Sequence, residues 1–115
     1  MIGFIKGLFG NNSFDIQEDE VRELVKTNRK VELIDVRTMP EFKMEHINPC
    51  RNIDAREKDF EDKVKYLDKE GVYVLYCRRG KRSVKAATKL EQLGFKNVFS
   101  LKGGIEAWEG VKRVK

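Results

Sequence analysis

The sequence is poor in the residues that staple, anchor or repeat a chain. Only two cysteines, Cys50 and Cys77, occur among 115 residues, and no export signal is expected ahead of them. That number cannot build a disulfide framework, so both are expected as reduced thiols in a cytoplasmic protein. No apolar run approaches the roughly 20 residues needed to span a bilayer. The nearest candidate, MIGFIKGLFGNN at the N-terminus, is broken by Lys6 and by Gly3, Gly7 and Gly10. Ile2, Ile5 and Phe9 can line one face of a short amphipathic helix, but packing against the domain or a loose tail is the favoured expectation over membrane insertion. Internal repeats, low-complexity tracts and linkers are absent. One domain is therefore expected, with residues 1–12 as an N-terminal extension, 13–112 as the folded unit and 113–115 as a basic tail.

Hydrophobic residues make up 40% of the chain and charged residues 37%, a globular balance, with a formal net charge of +5. The excess suits small anionic partners. It does not point to nucleic acid, because no stacking-aromatic motif accompanies the basic residues. A monomer is expected.

Periodicity alternates along the chain. Residues 17–28 place Val21, Leu24 and Val25 at helical spacing, with Ser13 or Asp15 as candidate cap. VELIDV at 31–36 is β-branched and reads as a strand. A helix is expected over 59–69 from Phe60, Val64 and Leu67, stopped by Gly71. VYVLY at 72–76 is apolar on both faces, the pattern of a central parallel strand. A helix over 83–93 ends at Gly94, NVFSL at 97–101 forms another strand, and a short helix at 105–109 carries the only tryptophan, Trp108. The expected class is α/β: a small, mostly parallel sheet of about five strands flanked by helices on both faces. Ligands in such folds bind beyond the carboxyl ends of the strands.

Cys77 falls at that edge, and CRRGKRS follows it with Arg78, Arg79, Gly80, Lys81, Arg82 and Ser83. Three influences there lower a thiol pKa: the cationic side chains, the N-terminus of the following helix, and a nest of backbone N–H groups around Gly80. Arg78 and Lys81 are the better placed for steering anions, whereas Arg82 can brace the loop against a carboxylate. Ser83 can cap the helix or hydrogen-bond the sulfur. A cysteine phosphatase also sets its cysteine in such a loop, but needs five residues between cysteine and arginine; Cys77 and Arg82 enclose four, and Tyr76 stands where tyrosine phosphatases usually have histidine.

The loop resembles the active-site loop of the rhodanese (thiosulfate sulfurtransferase) family. LIDVR at 33–37 with Glu41-Phe42, His46-Ile47 and Asn52-Ile53 is similar to that family's first signature, and GGIEAW at 103–108 to its closing element. The resemblance covers about 31–110. It implies a single rhodanese-like domain in which Cys77 takes a sulfane sulfur from a donor such as thiosulfate, forms a persulfide and passes the sulfur to cyanide, a thiol or a protein acceptor. It implies no cofactor and no metal. The alternative within the same fold is a non-catalytic binding or regulatory module, or a protein persulfide carrier; retention of the cysteine counts against the non-catalytic form.

Other residues take supporting parts in this reading. Asp35 orders neighbouring loops, and Arg37 is expected to pair with Glu41. His46, the only histidine, invites a cysteine–histidine dyad, but in the family the equivalent residue supports structure. Where relatives read HIPGAxNI, this chain has HINPCRNI: the proline moves to 49, Asn48 takes its place, and Cys50 replaces a small residue. Cys50 is thus a candidate resolving thiol for Cys77, with a passive small side chain as the alternative.

Overall fold

VYVLY sets the layout. The computed structural model describes residues 14–28 and 30–114, and in it all five residues of β5 (Val72–Tyr76) are buried. Alternate side chains enter two separate cores. Tyr73 and Leu75 join Ile34, Val36, Val98, Ala86, Ala87 and Leu90 on one face. Val72, Val74 and Tyr76 join Leu33, Phe99, Leu101, Val21, Leu24 and Ile105 on the other. A strand with no wet face must be covered on both sides.

The cover comes from four of the five described helices. On the first face lie α3 (Phe60–Val64) and α4 (Lys81–Gln92); on the second lie α1 (Glu18–Thr27) and α5 (Gly104–Ala107). The fifth, α2 (Met39–Met44), buries no residue and packs beside β3 (Glu45–Ile47), which is not a strand of this sheet. Around β5 the sheet is completed by β1 (Asp15–Ile16), β2 (Val31–Asp35), β4 (Arg51–Asn52) and β6 (Asn97–Leu101), in the order β1-β6-β5-β2-β4. Every pairing in it is parallel. β2 and β5 run in register from Val31 opposite Val72 to Asp35 opposite Tyr76, so their carboxyl ends finish together.

Several boundaries differ from the sequence reading. Asp15 lies in β1 and does not cap α1; Gln17 takes that place, its N–H donating to Glu20 Oε1 at 2.9 Å. Ser13 and the extension at 1–12 lie outside the described residues. The helix expected over 59–69 stops at Val64, because the Leu67 N–H turns back to Val64 O at 2.9 Å and the Gly71 N–H to Asp68 O at 3.0 Å. α2 was not expected. Thr38 and Glu41 form a capping box there, with Pro40 in the first turn. At the other end of the chain β7 (Lys112–Val114) pairs antiparallel with β3, taking in part of the stretch expected to trail as a basic tail. α4 does end as expected: Gly94 at φ +99°, with Phe95 N–H to Leu90 O and Gly94 N–H to Glu91 O, is a Schellman stop. No described helix is long and apolar enough to cross a membrane.

A buried ion pair fixes the sheet's carboxyl edge. Asp35 is fully buried, and its carboxylate accepts two bonds from the Arg37 guanidinium, Nε at 3.0 Å and Nη2 at 2.8 Å, as well as the Arg37 N–H at 2.9 Å. Arg37 also donates to Glu45 O at 2.6 Å. The expected Arg37–Glu41 pair is therefore corrected. A carboxylate buried two residues away claims the guanidinium, while Glu41, one turn into α2, faces elsewhere. The Asp35 carbonyl receives Ile53 N–H and Asn52 Nδ2, tying β4 to the same point. Removing one member of such a pair leaves a buried charge uncompensated, so Asp35→Asn should lower unfolding free energy by about 3–5 kcal/mol, read as a drop in urea midpoint.

Candidate active site

Cys77 leaves the end of β5 on the face of α3 and α4, and the chain then folds back over its own sulfur. Gly80 makes this possible. It sits at φ +105°, a left-handed conformation that side chains disfavour, and serves as N-cap of α4. The helix therefore begins at Lys81, two residues before the expected start, and Ser83 falls in its first turn. Gly80 holds the cap position, so Ser83, fully buried, does not cap the helix.

The turn aims donors at the thiol. Cys77 Sγ receives the Gly80 N–H at 3.1 Å and the Ser83 N–H at 3.4 Å, with Ser83 Oγ at 3.5 Å. Ser100 Oγ lies 2.8 Å from Ser83 Oγ. A hydrogen given by Ser100 to Ser83 leaves the Ser83 hydrogen to be shared between the sulfur and Gly80 O, which lies 3.2 Å away. Burial pushes the Cys77 pKa up, but the Ser83 hydroxyl and the N–H groups of Ser83, Gly80 and Arg79 outweigh it, and the net direction is down. Hydrogen bonds to the anion, more than neighbouring cations, account for the shift.

The cations are largely committed to carboxylates. Arg78 and Arg79 both reach Glu106, Nε to Oε2 at 2.8 Å and Nε to Oε1 at 3.3 Å. Arg82 forks onto Glu41, Nη1 to Oε1 at 2.9 Å and Nη2 to Oε2 at 3.2 Å. This is the bracing role expected for Arg82, with the partner now identified. The hydrogen bonds from Arg82 hold the Glu41 carboxyl at about 2. Lys81 is exposed and makes no ion pair with another described residue.

From behind, the loop is gripped by backbone. Ile105 N–H donates to Cys77 O at 2.9 Å and Glu106 N–H to Arg78 O at 3.2 Å. Gly104 permits the approach: a Cβ there would stand 2.3 Å from Arg78 O and 2.5 Å from Cys77 O.

Two expected participants lie apart from this cluster. His46 Nδ1 is 2.9 Å from Phe42 O, and its ring stacks on Phe42 at 4.0 Å between centroids, which suits the supporting role and gives no dyad with Cys77. Cys50 belongs to the opposite core, 3.3 Å from the Tyr76 hydroxyl, and burial pushes its thiol up to about 11. The sheet lies between the two thiols, and the structure does not bring them together. Among the described residues no group of three or more His, Cys, Asp or Glu side chains is arranged to hold a metal ion. Sequence reasoning missed Glu106 and Ser100; the one signal for the latter was a serine inside the apolar strand NVFSL.

A family model for the rhodanese-like domain matches residues 17–110. The chain belongs to the rhodanese-like family. Among its relatives, YtwF of Bacillus subtilis is 35% identical over 101 residues, covering 88% of this chain and 95% of YtwF. Thiosulfate sulfurtransferase GlpE of Coxiella burnetii is 36% identical over 91 residues, covering 78% and 81% of the two chains. The crystal structure of a rhodanese-like domain protein from Staphylococcus aureus superposes with a TM-score of 0.74 at 29% identity, over 88% of this chain and 97% of that one. The five-stranded parallel sheet with helices on both faces is thus the rhodanese fold.

Two outcomes are expected of this rhodanese-like chain. Iodoacetamide should modify Cys77 with an inflection below that of an ordinary thiol while Cys50 stays unmodified near neutral pH, and Ser83→Ala should move the Cys77 inflection upward; peptide mass spectrometry reads both. The Glu41 carboxyl falls from the ordinary 4.5 to about 2 in the fold, so the stability it contributes is present above about 4.5 and is lost as pH drops through about 2. Thermal melts of Glu41→Gln should lose that part of the acid dependence.

Proposed function

We propose that the protein is a sulfurtransferase that moves a sulfane sulfur from a donor such as thiosulfate to cyanide or a thiol through a Cys77 persulfide. The observation that carries this is the placement of Gly80 and Ser83 N–H groups at 3.1 and 3.4 Å from Cys77 Sγ. Such donors stabilise a thiolate before reaction and a terminal persulfide anion after it. Support also comes from the name of GlpE, a thiosulfate sulfurtransferase 36% identical to this chain.

In the first half-reaction the Cys77 thiolate attacks the outer sulfur of thiosulfate. The Cys77–sulfur bond forms, the sulfur–sulfur bond of thiosulfate breaks, and its electron pair leaves with sulfite. In the second, a cyanide or thiolate nucleophile bonds to the outer persulfide sulfur and the Cys77 thiolate is restored. The two steps give ping-pong kinetics. Arg78, Arg79 and Lys81 draw the anion in, Gly80 and Ser83 hold charge on sulfur, and Arg82 stiffens the loop through Glu41. Asp35, Arg37 and His46 keep the surrounding frame in place. Four residues between Cys77 and Arg82 make a small bowl, suited to a single sulfur atom and disfavouring a phosphatase.

Incubation with thiosulfate should add the mass of one sulfur atom to the intact protein, cyanide should remove it as thiocyanate, and Cys77→Ser should abolish both. A folded wild-type protein that takes up no sulfur from any sulfane donor would refute the proposal.

A further inference from the structure

Glu106 stands at the mouth of the cysteine loop and takes both outer arginines on its two oxygens, Arg78 at 2.8 Å and Arg79 at 3.3 Å. Its position is not incidental, because the same residue's N–H is bonded to Arg78 O at 3.2 Å, so the backbone clamp fixes the carboxylate where the cations are. Hydrogen bonding from Arg78 lowers the Glu106 carboxyl below its ordinary range, and it is ionised at neutral pH. On the inner side Arg82 is held by Glu41, and Lys81 makes no ion pair with another described residue.

Charge at the mouth is therefore nearly balanced. With Cys77 in its reacting thiolate form, the four cations Arg78, Arg79, Lys81 and Arg82 are set against three anions, Glu41, Glu106 and that thiolate, leaving a single net positive charge among these seven groups. Thiosulfate carries two negative charges; a thiosulfonate or an ionised alkyl persulfide carries one. We propose that Glu106 is a specificity-determining residue that sets this site for singly charged sulfane-sulfur donors and holds back the dianion. This rests on the sulfurtransferase reading of Cys77 and narrows its donor.

The chemistry balances for either charge class. With methanethiosulfonate the Cys77 thiolate bonds to the outer sulfur, the sulfur–sulfur bond breaks, and its electron pair departs on methanesulfinate. With thiosulfate it departs on sulfite. The donors share a sulfane sulfur bonded to oxidised sulfur and differ in charge, so comparison between variants isolates the field of Glu106. A charge acts on a dianion with twice the energy it exerts on a monoanion at the same place.

The test measures kcat/KM for thiosulfate and for methanethiosulfonate, with cyanide as acceptor, in wild type, Glu106→Gln and Glu106→Ala. Removing the carboxylate should raise the thiosulfate value roughly three- to tenfold, mainly through KM, and the methanethiosulfonate value by about the square root of that factor. The gain should shrink at high salt. Both variants should shift alike, since the effect is one of charge and the side chain is exposed; circular dichroism checks the fold. Persulfide formation on Cys77 with an unchanged donor ratio in both variants would overturn the role of Glu106 and leave the sulfurtransferase reading intact. A ratio that moves in only one variant would likewise overturn it. No adduct on wild type from either donor would overturn both.

Discussion

The site depends on how closely one backbone segment can approach another. The carbonyls of Cys77 and Arg78 accept N–H groups from Ile105 and Glu106, and this is possible only because Gly104 has no side chain to collide with them. With its carbonyls held from behind, the peptide chain after Cys77 presents its N–H groups forward, toward the sulfur. The left-handed turn at Gly80 completes the cup, and α4 starts there. The anion-stabilising groups are thus mostly main chain, pre-aligned and immune to side-chain rotation, which is where electrostatic preorganisation is strongest.

Side-chain charge plays a different part from the one the run of cations suggests. Four positive residues beside a cysteine invite a direct electrostatic account of a depressed thiol pKa. In the fold, Arg78 and Arg79 turn to Glu106 and Arg82 turns to Glu41, so the cations shape the approach and the frame more than the sulfur itself. Glu41 joins two levels of organisation: it closes the capping box of α2 with Thr38 and anchors the first turn of α4 through Arg82.

What was legible in the sequence follows from element length and burial. VYVLY and NVFSL were read to the residue, because strands buried on both faces carry a strongly apolar signal, unbroken in VYVLY and interrupted in NVFSL only by Asn97 at its start and by Ser100. The position of Cys77 at the sheet's ligand edge followed from that alone. The two- and three-residue strands β1, β3, β4 and β7 have no period to detect. The T-x-x-E pattern at Thr38–Glu41 was available as a helix start and went unread. Pairings were the hardest part. Arg37 and Glu41 are four apart, a spacing that means contact only within a helix, and Arg37 lies before α2 begins. The true partners of Glu41 and Glu106 lie 41, 28 and 27 residues away in the chain, and only the tertiary fold brings them together.

The sheet between the two cysteines has a consequence for how long sulfur can be kept. Were Cys50 on the same face as Cys77, a loaded site could discharge itself by internal disulfide formation, releasing sulfide. Instead Cys50 is held un-ionised beside Tyr76 in the other core. β5 separates the thiols as an insulating layer separates two conductors. On the proposed mechanism, sulfur held on Cys77 would have no exit through Cys50, and its lifetime would be set by the arrival of an acceptor from outside.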